Sequence, residues 1–264
     1  MTSTDVSWIE LLASLSLLLV TLIISLVFQL EIEKSVVIAC LRAALQLLAV
    51  GLLFSAIFDH RFADIWAWIW VAAMVAISTI VVQRRVPNVG NVKIPTLLAI
   101  TVATGTTFGV VFPLGVFELQ PVNIVVIAGI TIGNIMPATV LAVEQLRDQF
   151  QIRRGEVETL LALGADETKV RRFLCPQIIR IAITQQIERT KVVGLIALPG
   201  TMTGLLLAGI DPIEAVLIQL IVMYMILGST VVTVVTVVWF SSGRAFTSDQ
   251  RLSQWTQRAP ADKK

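Results

Sequence analysis

The stretch "VNIVVIAGITIGNIMPATVLAV", residues 122 to 143, decides the fold class of this chain. It contains no charged side chain, and roughly 20 apolar residues, at about 1.5 Å each, suffice to cross the hydrocarbon core of a bilayer as an α-helix. Lipid offers the backbone no hydrogen-bond partners, so a spanning segment must be a helix or part of a closed barrel. The alternating pattern of a barrel strand is absent from the stretch. Residues 122–143 therefore predict a transmembrane helix.

Similar segments recur along the chain, which is 56% hydrophobic and only 14% charged. Soluble domains carry about a quarter charged residues, so this composition indicates an all-α integral membrane protein. Residues 1–10 hold no Lys or Arg, so we expect the first segment to remain a helix rather than act as a signal peptide. About seven spans are predicted, at residues 8–30, 36–58, 65–82, 95–117, 122–143, 192–210 and 213–240.

The basic residues predict an orientation, because Lys and Arg accumulate in cytoplasmic loops. With the N-terminus outside and the C-terminus inside, every basic residue except Arg61 falls on the inner side. The domain organisation that follows is a transmembrane domain at 1–240, containing a charged cytoplasmic segment at 144–191 between spans five and six. Residues 241–264 form a polar inner tail that we expect to be disordered. The net charge of +2 thus reflects topology and gives no sign of nucleic-acid binding.

Catalytic chemistry has few candidate residues in this sequence. The single histidine, His60, lies in a predicted outer loop, and Cys40 and Cys175 lie on the inner side, where thiols stay reduced. The chain lacks the phosphate-binding pattern G-x-x-x-x-G-K-[ST] and the zinc-protease pattern H-E-x-x-H. We therefore predict no catalytic residues, no dedicated metal site and no cofactor bound by this chain. Transport is the leading class of function, with its energy supplied from outside the chain.

The charged segment holds the stretch "GEVETLLALGADETKVRRFLCP", residues 155 to 176. Val157, Leu160 and Leu161 recur at helical spacing, which predicts a short amphipathic helix. Gly164 is expected to end this helix in a left-handed conformation, and Asp166 to cap a second helix that runs up to Pro176. Two helices joined by a tight turn suit insertion into a groove of a partner, whereas the alternative is a helix that lies on the lipid headgroups. The predicted coupling residues are Glu156, Val157, Glu158, Leu160, Leu161, Gly164 and Ala165.

Three predicted spans contain residues that could line a transport path. Pro and Gly weaken a helical ladder, so "GNIMP" in the fifth span and "LPGTMTG" in the sixth predict broken helices that expose polar groups to a cavity. Polar side chains at depth should face protein or water. Helix packing explains Asn134 as well as a substrate contact does, and it explains Gln46 better. The predicted path residues are Gln46, Asn134, Met136, Pro199, Gly200, Thr201, Met202 and Thr203.

Several pieces, taken in order, resemble the FetB-type permeases, the membrane subunits of ABC exporters associated with iron and metal homeostasis. They are "RAALQLLAVG" (42–51), "IAGITIGNIMPAT" (127–139), "ETLLALGAD" (158–166), "VVGLIALPGTMTGLLLAG" (192–209) and "DPIEAVLIQLIVM" (211–223). Glu158 and Gly164 also have the spacing of the E-A-A-x-x-x-G coupling motif of ABC permeases, with Thr159 and Leu160 in place of the alanine pair. Thr201 and Leu205 depart from the residues expected of the family, which bears on the substrate.

The resemblance implies a multi-pass protein of the bacterial inner membrane that exports a metal ion or metal-related solute. It also implies a separate ABC ATPase subunit that binds ATP and Mg. Because seven spans are few for a complete pathway, we predict a homodimer. The alternative is an ion-coupled secondary transporter without an ATPase, which would favour ionisable residues at mid-membrane.

Overall fold

The computed structural model describes residues 8–58, 62–87, 89–247 and 252–253. Within these residues the chain is helical, and the prediction of an all-α protein is confirmed. The predicted outer-loop residues His60 and Arg61 lie outside the described residues, as do 248–251 and 254–264 of the predicted tail. The helices are α1 (Trp8–Phe28), α2 (Glu33–Phe58), α3 (Ala63–Arg85), α4 (Lys93–Val111), α5 (Pro121–Ile152), α6 (Arg154–Ala162), α7 (Glu167–Val192), α8 (Gly200–Leu207) and α9 (Pro212–Ser242), followed by a 3-10 turn at Gly243–Ala245.

Five helices in the described part of the chain are long and apolar enough to cross a membrane. They are α2 over Glu33–Leu52, α3, α4, α5, and α9 continued to Ala245, and α1 adds a shorter apolar stretch at Leu15–Phe28. Local chemistry explains where two of them begin: α5 and α9 each start with proline, whose missing N–H costs nothing in a first turn. Asp211 also caps α9, since its carboxylate accepts a hydrogen bond from the Ile213 N–H at 2.9 Å.

Three predicted helix boundaries need correction. α4 ends at Val111 rather than at residue 117, because the chain turns at Gly115, whose φ of 68° favours glycine. α5 continues to Ile152 instead of ending at residue 143, since Leu146 and Phe150 extend its buried face. The predicted sixth span at 192–210 is not a continuous helix, because residues 193–199 separate α7 from α8.

The chain divides into two compact units, Met1–Ala63 and Asp64–Lys264. In the first unit α1 packs against α2, and the Ser25 hydroxyl donates a hydrogen bond to Glu33 Oε1 at 2.6 Å. In the second unit α9 is the central helix, which packs against α4, α5, α7 and α8.

A hydrophobic core occupies one end of the second unit, where the later part of α5 meets α6, α7 and the end of α9. Its largest fully buried side chains include Phe150, Leu146, Leu174 and Ile178. Burying a side chain of this size contributes about 1.5 to 3 kcal/mol. The predicted charged segment at 144–191 therefore packs on this core from Leu146 to Ala182.

The start of the predicted polar tail belongs to the folded unit. α9 runs on to Ser242, Ala245 is fully buried, and Phe246 forms an antiparallel bridge with Leu252. Phe246 also packs edge-on against Phe150 at a ring distance of 5.9 Å. The expected disorder from residue 241 onward is thus corrected for 241–247 and 252–253, which pack on the core through Ala245, Phe246 and Leu252.

Candidate functional site

A tight turn joins α6 to α7 and gives the predicted coupling segment its shape. Gly164 has a φ of 83°, its N–H bonds the Leu161 carbonyl at 3.0 Å, and the Ala165 N–H bonds the Leu160 carbonyl at 2.9 Å. These are the two hydrogen bonds of a Schellman motif, which ends a helix at a left-handed glycine. Asp166 then caps α7 by accepting a hydrogen bond from the Lys169 N–H at 3.0 Å. We call α6, this turn and α7 the elbow.

The apolar face of α6 points into the chain's own core, which corrects the expectation that it is free to enter a groove. Val157 is 0% exposed, and Leu160 and Leu161 are half-buried against the same cluster. An amphipathic pattern indicates that one face of a helix is buried, and α5 and α7 bury this face of α6.

The outward side of the elbow carries the remaining predicted coupling residues. Glu156 and Glu158 are exposed and form ion pairs of 2.7 Å with Arg153 and Arg154. Gly164 is exposed, Ala165 is half-buried, and Leu163 is 79% exposed at the tip of the turn. Leu163 is therefore an apolar side chain that the tip of the elbow presents outward.

The elbow is fixed to the end of α9 through Arg171, a contact that the sequence analysis missed. Its Nε donates to Ser242 Oγ at 2.9 Å, its Nη2 donates to the Trp239 carbonyl, and its guanidinium lies 4.1 Å from the Trp239 ring centre. Glu167 forms an ion pair with Arg171 at 3.1 Å. Gly243 leaves room for this pair, because a Cβ at residue 243 would lie only 3.1 Å from Glu167 Oε1. A cation at a helix C-terminus stabilises its unpaired carbonyls.

The thiol of Cys175 is buried beside the Arg171 contact. Burial raises the pKa of Cys175, although a hydrogen bond with Ser242 and the charge of Arg171 oppose the rise. Cys175 is thus held as a neutral, packed thiol beside the Arg171 contact.

Neither internal proline of the long helices breaks its helix, which corrects two expectations. α7 continues through Pro176 to Val192, and α5 continues through Pro137 to Ile152. Each proline removes one backbone hydrogen bond, and packed residues on both sides hold the helix together. In α5 the lost bond leaves the Gly133 carbonyl without its usual donor, next to Asn134.

The predicted path residues of α5 lie on a partly open face. Asn134 and Met136 are half-buried, Gly133 and Pro137 are exposed, and the Asn134 amide donates to the Ile130 carbonyl at 2.8 Å. This bond leaves the amide oxygen and one N–H available for a ligand or a neighbouring chain.

The backbone is non-helical between α7 and α8, at residues 193–199, whereas the interruption was predicted at 198–204, most of which is helical in α8. Gly194 has a φ of 87°, its N–H bonds the Ala197 carbonyl at 3.0 Å, and Val193 and Ala197 form a parallel bridge. Leu195 and Ile196 are 91% and 83% exposed. We call residues 193–199 the break.

α8 follows the break and holds the remaining path residues. Pro199 precedes its first turn and is half-buried, as is Met202, whereas Gly200, Thr201 and Thr203 are exposed. The Thr203 hydroxyl donates to the Pro199 carbonyl at 3.2 Å.

The structure brings only part of the predicted path together. α5 and α8 both pack against α9, so Asn134 and Thr203 belong to helices with a common neighbour. No hydrogen bond joins these two side chains in the described residues. Gln46 is exposed on α2 and belongs to the other unit. Among the residues that the structure describes, no group of three or more His, Cys, Asp and Glu side chains could hold a metal ion.

Comparison with known proteins identifies relatives over nearly the whole chain. The "UPF0014 membrane protein STAR2" of rice is 35% identical over 207 residues, covering 78% of this chain and 72% of that protein. "Protein ALUMINUM SENSITIVE 3" of Arabidopsis thaliana is 30% identical over 240 residues, covering 91% and 88%. The "Probable iron export permease protein FetB" of Escherichia coli is 29% identical over 254 residues, covering 96% and 97%. No solved structure matches the chain.

These relatives and the apolar helices make this chain a multi-pass membrane protein of the permease kind. A family model described as "Uncharacterised protein family (UPF0014)" matches residues 8–246. The chain therefore belongs to the UPF0014 family.

Proposed function

We propose that the chain is the permease subunit of an ATP-driven ABC exporter and that the elbow receives the force of a separate ATPase. The observation that carries this proposal is the way the elbow is held. It packs on the core through Val157 and is fixed to the end of α9 through Arg171. A push on its exposed turn at Leu163 and Gly164 would therefore act on the long helices α5 and α9 rather than on a loose loop.

The proposed ATPase binds ATP and Mg, and this chain supplies the path. In the proposed orientation the N-terminus lies outside, and the elbow and the C-terminus lie in the cytoplasm, as the distribution of basic residues favours. The membrane is then the bacterial inner membrane.

The proposed substrate is an iron ion, another metal ion or a metal-related solute. The name of the Escherichia coli relative refers to iron export, which supports this proposal. Hydroxyl, amide and carbonyl oxygens at Asn134, Thr201 and Thr203 would suit a hard cation.

The buried polar side chains favour an ATP-driven permease over a proton-coupled carrier. In the described residues they are hydroxyls and one amide, from Ser25 on α1 to Ser242 on α9. Proton-coupled carriers typically move protons through Asp, Glu or His within their spans. A substrate path lined by uncharged side chains instead suits a pump that is driven by ATP hydrolysis on a separate subunit.

A homodimer is proposed because the non-helical backbone of the break is exposed in the single chain. Non-helical backbone at membrane depth is tolerated only where protein or a water-filled cavity covers it. The break lies in an apolar stretch and exposes Leu195 and Ile196, so a second copy of the chain is the natural cover. Closed two-fold dimers are also the commonest homo-oligomers.

The dimer predicts crosslinking at the break. In native membranes, Leu195→Cys in a Cys40→Ser background is expected to give a crosslinked dimer with a short bifunctional maleimide. Leu163→Cys in the same background is the matched control, because Leu163 is also highly exposed but lies on the elbow. Gel mobility measures the product, and equal dimer yields from both positions, or none from Leu195→Cys, would contradict the proposed interface.

The transport path is tested by replacing its polar lining. Asn134→Leu and Thr203→Leu are expected to reduce ATP-dependent iron movement in proteoliposomes about tenfold or more, because each removes a polar contact of the substrate. Capture of the ATPase should be unchanged, since both residues lie away from the elbow. Thr21→Leu is the matched control, because Thr21 is an exposed threonine on α1 with a similar intrahelical bond, 3.0 Å to the Leu17 carbonyl. Normal transport by both path variants would show that these residues only pack helices.

A further inference from the structure

A row of polar side chains follows one side of α7 over its last four turns. Its members are all exposed: Gln177, Arg180, Thr184, Glu188 and Lys191. Their spacing of three or four residues places them on one face of the helix. Away from this face, Ala182 is buried and Ile183 packs against the same core. We call the five polar residues the α7 stripe.

The two ends of α9 show how far α7 must extend. At the C-terminal end of α9, Arg171 near the start of α7 donates a hydrogen bond to Ser242 Oγ at 2.9 Å. At the other end, α8 leads through residues 208–211 into Pro212, the first residue of α9. The chain from Arg171 to Pro212 therefore runs along the whole of α9, which has 31 residues and rises about 46 Å.

α8 and the break are too short to cover this distance. α8 has 8 residues and rises about 12 Å. The break is folded back on itself, because the Gly194 N–H bonds the Ala197 carbonyl at 3.0 Å. α7 has 26 residues and rises about 39 Å, so it must supply most of the distance. It packs against both α5 and α9.

The α7 stripe consequently lies beside a membrane-spanning helix, since α9 is long and apolar enough to cross a membrane. From Arg171 to Glu188 the helix rises about 26 Å, more than half of the length of α9. Val192 then leads directly into the break, which lies in an apolar stretch. Thr184 and Glu188 are therefore at membrane depth. Only α6, the turn and the first residues of α7 remain on the proposed cytoplasmic side.

Lipid is an unsuitable neighbour for the α7 stripe. Charged side chains at membrane depth almost always face the protein interior or a water-filled cavity. The side chains of Lys191 and Glu188 are 62% and 58% exposed and form an ion pair of 2.7 Å, so the interior of this chain does not cover them. Water is the neighbour that suits this side of α7.

The proposed homodimer would enclose this water. Lys191 is separated by one residue from Val193, where the break begins. A second copy that covers the break would therefore also stand opposite the last turns of the α7 stripe. The space between the two copies would then be a polar cavity that is closed to lipid.

We propose that the α7 stripe lies inside the membrane and lines a water-filled cavity, which makes it a wall of the transport path. The role in transport rests on the proposed function, whereas the contact with water at membrane depth does not. The stripe differs from the buried polar side chains of the described residues, which carry no charge. Arg180 makes it positive overall, because Glu188 is paired with Lys191. It thus adds no unpaired acid of the kind that proton-coupled carriers use.

Cysteine labelling tests depth and water contact together. In a Cys40→Ser background, Thr184→Cys is treated in inside-out membrane vesicles that have been stripped of peripheral proteins. One reagent is a small, negatively charged methanethiosulfonate, and the other is a maleimide that carries a long polyethylene glycol chain. Cys175 stays in place because it is buried. We expect nearly complete labelling by the small reagent and little by the large one, because the cavity admits small ions but no polymer.

Two exposed threonines provide matched controls. The hydroxyls of Thr184 and Thr106 each bond the carbonyl four residues earlier, at 2.7 Å in both cases. Thr106 lies on α4 beside the exposed apolar residues Val102 and Val110, so Thr106→Cys should react with neither reagent. Thr159 on α6 makes the same kind of bond at 2.8 Å, and Thr159→Cys should react with both reagents because α6 lies outside the membrane.

The labelling pattern decides the proposal, and Glu188→Cys repeats the test one turn further along if Thr184→Cys does not fold. Reaction of Thr184→Cys with the large reagent would place α7 in the cytoplasm. No reaction with either reagent would place the stripe against lipid or protein, and labelling equal to that of Thr106→Cys would remove its distinction from a lipid-facing helix. Each of these results would overturn the proposal.

The role in transport is tested on the same variant. In the proposed exporter, labelled Thr184→Cys should lose ATP-dependent transport and keep its capture of the ATPase, because the cavity is obstructed while the elbow tip is unchanged. Normal transport after full labelling would remove the α7 stripe from the path. The labelling pattern itself needs no ATPase, so it remains decisive if the proposed function fails.

Discussion

Replacing Leu163 by Asp is expected to release the proposed ATPase while the membrane helices stay folded. Leu163 is 79% exposed at the tip of the elbow, so its own chain gains little from it. Burying it in a groove of the partner would contribute about 1.5 to 3 kcal/mol, and a carboxylate there would add a desolvation cost. Capture of the ATPase by the tagged chain should therefore fall at least about tenfold.

The matched control is Leu163→Met, which keeps an apolar side chain of similar size and should retain capture. Gly164→Val should reduce capture by a different route, because a β-branched residue resists the φ of 83° that ends α6. Unchanged ATPase capture by Leu163→Asp, with normal expression and melting, would remove the elbow tip from the coupling surface.

Val157→Asp is expected to destabilise the folded chain strongly. Val157 is fully buried in the core between α5 and α7, and a carboxylate in that position would lack both water and a partner. The expected loss is about 4 kcal/mol or more. Thermal melting of the detergent-solubilised chain measures it.

Thr159→Asp is the control for this prediction, because it adds the same charge two residues away on the exposed side of α6. It should change the melting temperature little, since exposed substitutions usually change stability by about 0.5 kcal/mol or less. Similar melting of the two variants would show that the core does not hold α6 as the structure has it.

The sequence was sufficient to predict the features that depend on residues close together along the chain. Uncharged apolar runs predicted the helices α2 to α5 and α9, and Gly164 and Asp166 predicted the turn of the elbow. Pro199 and Gly200 predicted an interruption at 198–204, but the break lies at 193–199 and α8 begins at Gly200. The extension of α5 to Phe150 and Ile152 could have been found, because Leu146 and Phe150 continue its helical spacing.

Features that depend on distant residues could not be predicted in this way. The periodicity of Val157, Leu160 and Leu161 shows that one face of α6 is apolar, but the same pattern fits a partner's groove, a lipid surface or the chain's own core. The contact between Arg171 and Trp239 joins residues 68 positions apart. Pro137 predicted a broken helix and Pro176 a helix end, and both predictions failed because the packing that sustains α5 and α7 comes from residues distant in sequence.

The most direct test of the central claim is the composition of the complex that the chain forms in its own membrane. The tagged protein is extracted in mild detergent, its mass is measured by light scattering, and its components are identified by mass spectrometry. The account predicts two copies of this chain together with an ABC ATPase that carries G-x-x-x-x-G-K-[ST], and ATP hydrolysis by the purified complex. A stable assembly of this chain alone that moves its substrate down an ion gradient without ATP would contradict the account.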